Sequence, residues 1–117
     1  MNGLKYLLDT NFIIGLLKGD EASVAIASGI NLAICSYSAI TRMELLSYPD
    51  LTEVESLVIN RLLARMNYIA ISPEIEDLTI VFRQQHKVKL PDAIIAATAK
   101  AQKIGLLTFD KKLAAKL

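Results

Sequence analysis

The 117-residue sequence holds one cysteine, Cys35, and one histidine, His86. A single thiol permits no intrachain disulfide, as expected for a reducing compartment. One thiol and one imidazole exclude zinc fingers, cysteine clusters and multi-histidine metal sites within the chain. A metal site built here must draw mainly on oxygen ligands, which select a hard cation such as magnesium or manganese. An excess of one charge is also missing: 13 basic and 12 acidic residues leave a formal net charge of +1. Nucleic-acid binding would therefore need a local basic patch, because no global field attracts a polyanion. Long apolar runs are absent too. Phe12–Ile14 with Leu16–Leu17, and Ala93–Ala97, are the longest, far short of the ~18 residues that span a bilayer. The residues before Asp9 carry one lysine and lack the apolar h-region and small-residue cleavage site of a signal peptide. A soluble cytoplasmic protein is the expectation.

What is present is apolar. Hydrophobic residues make up 53% of the chain and charged residues 21%, a composition that folds rather than one that stays disordered. The length is that of one domain with one core, spanning residues 1–117, with no repeat, linker or low-complexity stretch.

Short apolar runs alternate with helical patterns. Tyr6-Leu7-Leu8 reads as a buried strand stopping at Asp9, and Thr10-Asn11 opens a helix that Gly19 stops. A second helix follows over 20–28 with Asp20 as N-cap. Leu32-Ala33-Ile34-Cys35 is expected to be the second strand, and Ser38 to cap a helix from Ala39 to about Ser47. Thr52 and Glu55 form a capping box ahead of the next helix, in which Val54, Leu57, Val58 and Leu62 keep helical spacing. That stripe fits either core or a dimer interface. Strands are expected at 68–71 and 106–108. Helices are expected from Pro73 to about His86, from Asp92 to about Lys103, and from Asp110 to the end. The pattern predicts a parallel sheet covered by helices on both faces.

Three aspartates then stand out. Asp9 follows the first strand, Asp110 follows the last, and Asp92 lies in the first turn of a helix behind Pro91. Ligands of open parallel sheets bind beyond the carboxyl ends of the strands, where two of these residues belong. Taken singly, each is explained as a helix cap or a dipole complement. Glu44 is different: it sits mid-helix on the side expected to face inward, with Arg42 nearly opposite. A buried glutamate needs a partner, either a lysine or arginine elsewhere in the chain or a cation. Carboxylates ~4 Å apart repel by about 4 kcal/mol per pair at an effective dielectric of about 20. A divalent cation offsets that repulsion and leaves positions open for phosphate oxygens.

These residues carry a family resemblance. Leu7-Leu8-Asp9-Thr10-Asn11 resembles the first motif of PIN domains, and Ile40-Thr41-Arg42-Met43-Glu44-Leu45-Leu46 their second. The stretch from Leu90-Pro91-Asp92-Ala93 through Ala99 is similar to the third and most specific motif, and Leu107-Thr108-Phe109-Asp110 to the fourth. Order and spacing match over essentially the whole chain, and VapC-type toxins of toxin–antitoxin pairs are the subgroup it most resembles. The resemblance implies a three-layer α/β/α sandwich with four to five parallel strands, since many relatives continue into a further strand. It implies a magnesium- or manganese-dependent ribonuclease, a homodimer, and a small antitoxin partner that blocks the site. Carried over by motif, Asp9, Glu44, Asp92 and Asp110 form the acidic metal site, with Thr10, Asn11 and Thr108 as hydrogen-bonding neighbours. The fourth position varies in the family between Asn and Asp.

Other residues have plainer readings. Cys35 in an apolar strand is an inert thiol, and His86 at a polar helix end complements the helix dipole, which argues against a nucleophilic pair. Arg83, Lys87 and Lys89, with Lys111 and Lys112, form either a phosphate-holding border or a solvated face. Tyr37, Tyr48 and Tyr68 read as packing residues. Two alternatives to a ribonuclease stay open. One is a non-catalytic PIN-like module that binds RNA or protein. The other is a phosphoacceptor receiver domain, which would need an acidic pair after the first strand and an aspartate ending a middle strand. Neither Cys35 nor Ile71 is followed by one.

Overall fold

The computed structural model describes residues 3–117, so Met1 and Asn2 lie outside the described residues. The chain runs β1 (Tyr6–Leu8), α1 (Thr10–Lys18), α2 (Glu21–Ser28), β2 (Cys35–Ser38), α3 (Ala39–Leu46), α4 (Glu53–Leu63), β3 (Asn67–Ile69), α5 (Pro73–Gln85), α6 (Leu90–Gln102), β4 (Gly105–Leu107) and α7 (Lys111–Ala115). The four strands form one parallel sheet in the order β3-β2-β1-β4. The fold is therefore the expected α/β class, and the four strands among the described residues fall within the expected four to five.

Alternation along the strands divides the core between the two faces. Leu8, Cys35 and Tyr37 pack with Phe12 and Ile13 of α1, Leu45 of α3, and Ile59 and Leu63 of α4. Leu7 and Ile69 point the other way, onto Ile75 of α5 and Ile95, Ala97 and Ala99 of α6. The alanines of α6 do specific work here. Ala93, Ala96, Ala97 and Ala99 are all essentially buried, and their small side chains let the helix backbone lie close to the sheet. Between α1 and α2 a glycine serves the same purpose, because a Cβ on Gly15 would collide with the Ser23 hydroxyl.

Local signals set the element boundaries. Asp20, Ser38, Thr52 and Ser72 each accept a hydrogen bond from the backbone of the helix they precede. Gly19 closes α1 in the left-handed region at φ 72°, where glycine meets no Cβ penalty. At the end of α6 the left-handed residue is Lys103, not Gly105, which instead opens β4.

The second strand departs from the sequence expectation. Leu32–Ile34 forms a 3-10 turn, capped by the Asn31 side chain on the Ala33 amide at 3.0 Å. The strand lies three residues later and includes Ser36 and Ser38, both wholly buried. Apolarity is not required there because the hydroxyls are satisfied. Ser36 donates to the Tyr6 carbonyl at 3.0 Å, and Ser38 accepts from the Ile40 amide at 3.1 Å. On α4 the buried residues are Ile59 and Leu63, while Val54, Leu57 and Val58 are exposed. Three of the stripe's four residues are therefore surface, and the fourth, Leu62, is half-buried against the core. Among the described residues no helix is long and apolar enough to cross a membrane.

Candidate active site

The strand order reverses between β1 and β4, and in open parallel sheets such a switch point leaves a crevice beyond the strand ends. Asp9 leaves β1 at this end. Its amide donates to the Leu107 carbonyl at 3.2 Å, which fastens it to the end of β4. Asp110 arrives from β4 two residues past Thr108. Asp92 arrives from the first turn of α6.

Asp9 is buried, and its Oδ1 accepts from the Phe12 amide at 2.8 Å, so it does cap α1. The Thr108 hydroxyl also hydrogen-bonds its carboxylate. Both bonds favour the charged form, yet the carboxyl is held above its ordinary value. Burial is the main cause, and the charges of Asp92 and Asp110 add to it. Among the described residues no lysine or arginine is one of the groups that act on it. Asp110 caps α7 through the Leu113 amide at 3.0 Å, and its own amide donates to Thr108 Oγ1 at 3.0 Å. Thr108 thus ties the two aspartates together.

Glu44 is half-buried on α3, one edge of whose inward face is formed by the buried Thr41 and Leu45. Its partner is neither lysine nor arginine. The Thr10 hydroxyl donates to Glu44 Oε1 at 2.7 Å. Thr10 Oγ1 also lies 3.0 Å from the Thr41 hydroxyl. Since Thr10 gives its one proton to Glu44, Thr41 is the donor in that contact. Glu44 is thereby anchored to the residue directly after Asp9, although its charge is not among those that shift Asp9. Asn11 is exposed, and no side-chain hydrogen bond joins it to this network.

The remaining candidates lie elsewhere. Arg83, Lys87 and Lys89 line one shallow hollow with His86 and Val88 at the α5–α6 connection. Lys111 and Lys112 are exposed on α7. Cys35 is buried in the α1/α3/α4 core, whereas His86 packs against Phe82 with ring centroids 4.6 Å apart, so the two form no pair. Tyr37 packs edge-on against Tyr68 at 5.8 Å. One contact had no counterpart in the sequence reading: Phe109 stacks on Phe12 at 5.4 Å. Its only sequence signal is an aromatic residue in a turn.

The carboxylates suit a hard cation in chemistry and charge, because Asp9 is buried beside two like charges and no basic side chain among the described residues offsets them. They do not form a closed cage: among the described residues no three His, Cys, Asp or Glu groups converge on one point. Magnesium accepts such an arrangement, since it keeps several waters and takes only one or two protein carboxylates.

The PIN-domain family model matches residues 6–116. Among solved structures, a toxin–antitoxin complex from Klebsiella pneumoniae is 31% identical, with a TM-score of 0.82 over 92% of this chain and 88% of that one. FitAcB from Neisseria gonorrhoeae is 25% identical, with a TM-score of 0.80 over 95% and 91% of the two chains. VapC20 of Mycobacterium tuberculosis, described as a sarcin–ricin loop cleaving toxin, shares the fold at 16% identity, with a TM-score of 0.73 over 95% and 94%. No curated protein matches.

Proposed function

Because this chain belongs to the PIN-domain family, we propose that it is a metal-dependent endoribonuclease of the VapC type, the toxin of a toxin–antitoxin pair. The observation that carries this reading is Asp9: a buried carboxylate at the carboxyl ends of β1 and β4, pressed by Asp92 and Asp110 and, among the described residues, offset by no basic side chain. Capping α1 explains its bond to Phe12 but not its two acidic neighbours.

Asp9, Asp92 and Asp110, with Glu44 held by the residue next to Asp9, are the residues that would hold magnesium or manganese. When bound, such an ion activates water and stabilises the leaving oxygen of a phosphodiester. The chain's own residues supply the positioning. The Phe12 amide and the Thr108 hydroxyl fix the Asp9 carboxylate from two sides. Thr108 also fixes the Asp110 backbone, and Thr10 aims Glu44. No side-chain nucleophile is needed, in keeping with a buried Cys35. With a net charge of only +1, attraction of RNA falls to local groups. Arg83, Lys87, Lys89, Lys111 and Lys112 are assigned to the phosphate backbone.

The partners follow from the relatives. The similar structure from Klebsiella pneumoniae is a toxin–antitoxin complex, and a small antitoxin protein is the proposed regulator. A homodimer is proposed as well. The exposed apolar residues Val54, Leu57 and Val58 favour protein contacts over a bare surface.

The test is an RNA cleavage assay with and without manganese, comparing the parent with Asp92→Asn. Cleavage by the parent that needs the metal and vanishes in the variant supports the reading. Equal cleavage by both removes Asp92 from the site. RNA binding without cleavage by either would make this a non-catalytic binding module.

A further inference from the structure

We infer that Phe109 is a stacking platform for an unpaired nucleobase of the RNA strand, beside the carboxylate site. This rests on the ribonuclease reading and adds to it a residue that touches substrate without touching metal.

The argument begins with where the residue stands. Thr108-Phe109-Asp110 is the turn between β4 and α7, a position that turn chemistry normally gives to Gly, Pro, Asn, Asp or Ser. A phenylalanine there is 48% exposed. A lone exposed aromatic is ordinary on a protein surface, so exposure alone decides nothing. Tyr48 and Tyr68 are more exposed still, but Tyr68 leans edge-on against Tyr37 and neither is next in sequence to a site carboxylate. Phe109 is flanked on one side by Thr108, which hydrogen-bonds Asp9, and on the other by Asp110.

Its ring is also held. It lies nearly parallel to the ring of Phe12, with centroids 5.4 Å apart and 17° between the planes. Phe12 is itself wholly buried, and its amide is the one that fixes Asp9. The backbone on either side of Phe109 is pinned as well, at Leu107 by the Asp9 amide and at Asp110 by the Thr108 hydroxyl. An aromatic surface fixed in orientation, half open to solvent and one residue from two groups of the site has what base stacking needs. Single-stranded RNA is recognised largely through unstacked bases laid on such rings. Each base stacked on an aromatic side chain strengthens binding roughly 5- to 150-fold. Stacking is present before and during the chemical step, so its loss is expected in KM rather than in kcat.

The test measures kcat and KM for manganese-dependent cleavage of a fluorescent single-stranded RNA oligonucleotide. It compares the parent with Phe109→Leu, which keeps apolar bulk without a π face, and Phe109→Trp, which keeps the face. The same oligonucleotide is then prepared with an abasic site at each position in turn. The expected result is a KM raised roughly 5- to 150-fold by Phe109→Leu, an unchanged kcat, and recovery in Phe109→Trp. One abasic position should raise the parent's KM by a similar factor and add nothing in Phe109→Leu. Unchanged KM in Phe109→Leu overturns the inference, as does a fall in kcat alone, which would mean that the ring only props Asp9. A KM effect that no abasic position abolishes overturns it too. If Phe109→Leu folds poorly by circular dichroism, Phe109→Tyr replaces it: it keeps the π face, and a rise in its KM overturns the inference. Absence of cleavage by the parent would instead fail the ribonuclease reading itself, a distinct outcome.

Discussion

Asp9 and Glu55 are both carboxylates at helix N-termini, and both accept a hydrogen bond from a backbone amide there. Asp9 takes the Phe12 amide at 2.8 Å at the start of α1, and Glu55 takes the Thr52 amide at 3.0 Å at the start of α4. Their proton affinities move in opposite directions. The Thr52 backbone amide, then its side chain, lower the Glu55 carboxyl, which is fully exposed. Burial, with Asp92 and Asp110, raises that of Asp9. Capping accounts for Glu55, since its charged form gains more from the Thr52 amide and side chain than it loses to burial. For Asp9 the same gain is outweighed. A capping role alone would be served as well by Ser, Thr or Asn, so a charge kept at that cost serves something other than the helix.

The sharpest way to break the contrast is to neutralise each carboxylate. Asp9→Asn or Asp92→Asn should lower manganese-dependent RNA cleavage by at least about 100-fold, the upper range for damage to a metal's surroundings. Glu55→Gln should leave cleavage unchanged. A comparable loss in Glu55→Gln would make the activity a matter of stability rather than of the acidic site.

A smaller effect is expected one bond further out. Thr10→Val keeps the shape of Thr10 but removes the proton that Glu44 accepts at 2.7 Å. Cleavage should fall about 10- to 100-fold, with a stability loss of about 1–3 kcal/mol for the carboxylate left without its donor. Steady-state kinetics beside urea denaturation separate the two effects. If the stability loss appears with full activity, Glu44 is structural.

The smallest effect is a divergence with pH. Asp9 has a raised carboxyl, so the folded state holds its proton more tightly than the unfolded state does. Its contribution to stability is full below the ordinary aspartate value of 3.8 and is lost as pH rises through its raised folded value. Glu55 has a lowered carboxyl, so its contribution is present above the ordinary 4.5 and is lost as pH falls through its depressed value. Metal-free Asp9→Asn should therefore gain on the parent as pH rises toward neutrality, while Glu55→Gln should lose on it. Urea denaturation across that range checks both signs.

These contrasts also mark how much was legible in the sequence. The Thr52–Glu55 box, the Ser72-Pro73 start and the Gly19 stop are set by residues within one turn of each other, and they were read correctly. The fold class followed from the alternation of short apolar runs and helices. Strand β2 did not, because its buried hydroxyls are satisfied by a carbonyl 30 residues away and by a helix start. Apolarity marks a buried strand only where no such partner exists. At the site, motif resemblance proposes four acidic residues; Asp92 and Asp110 act on Asp9, and Glu44 does not. The bond from Thr10 to Glu44 spans 34 residues, and the Phe12–Phe109 stack spans nearly the whole chain. No local spacing encodes either one.

Manganese binding, followed by isothermal titration calorimetry in the absence of RNA, bears most directly on why Asp9 is kept. The parent and Glu55→Gln should bind the ion alike, and Asp92→Asn at least about 10-fold more weakly. Equal binding by all three proteins, or none by the parent, would contradict the assignment of these carboxylates to a metal.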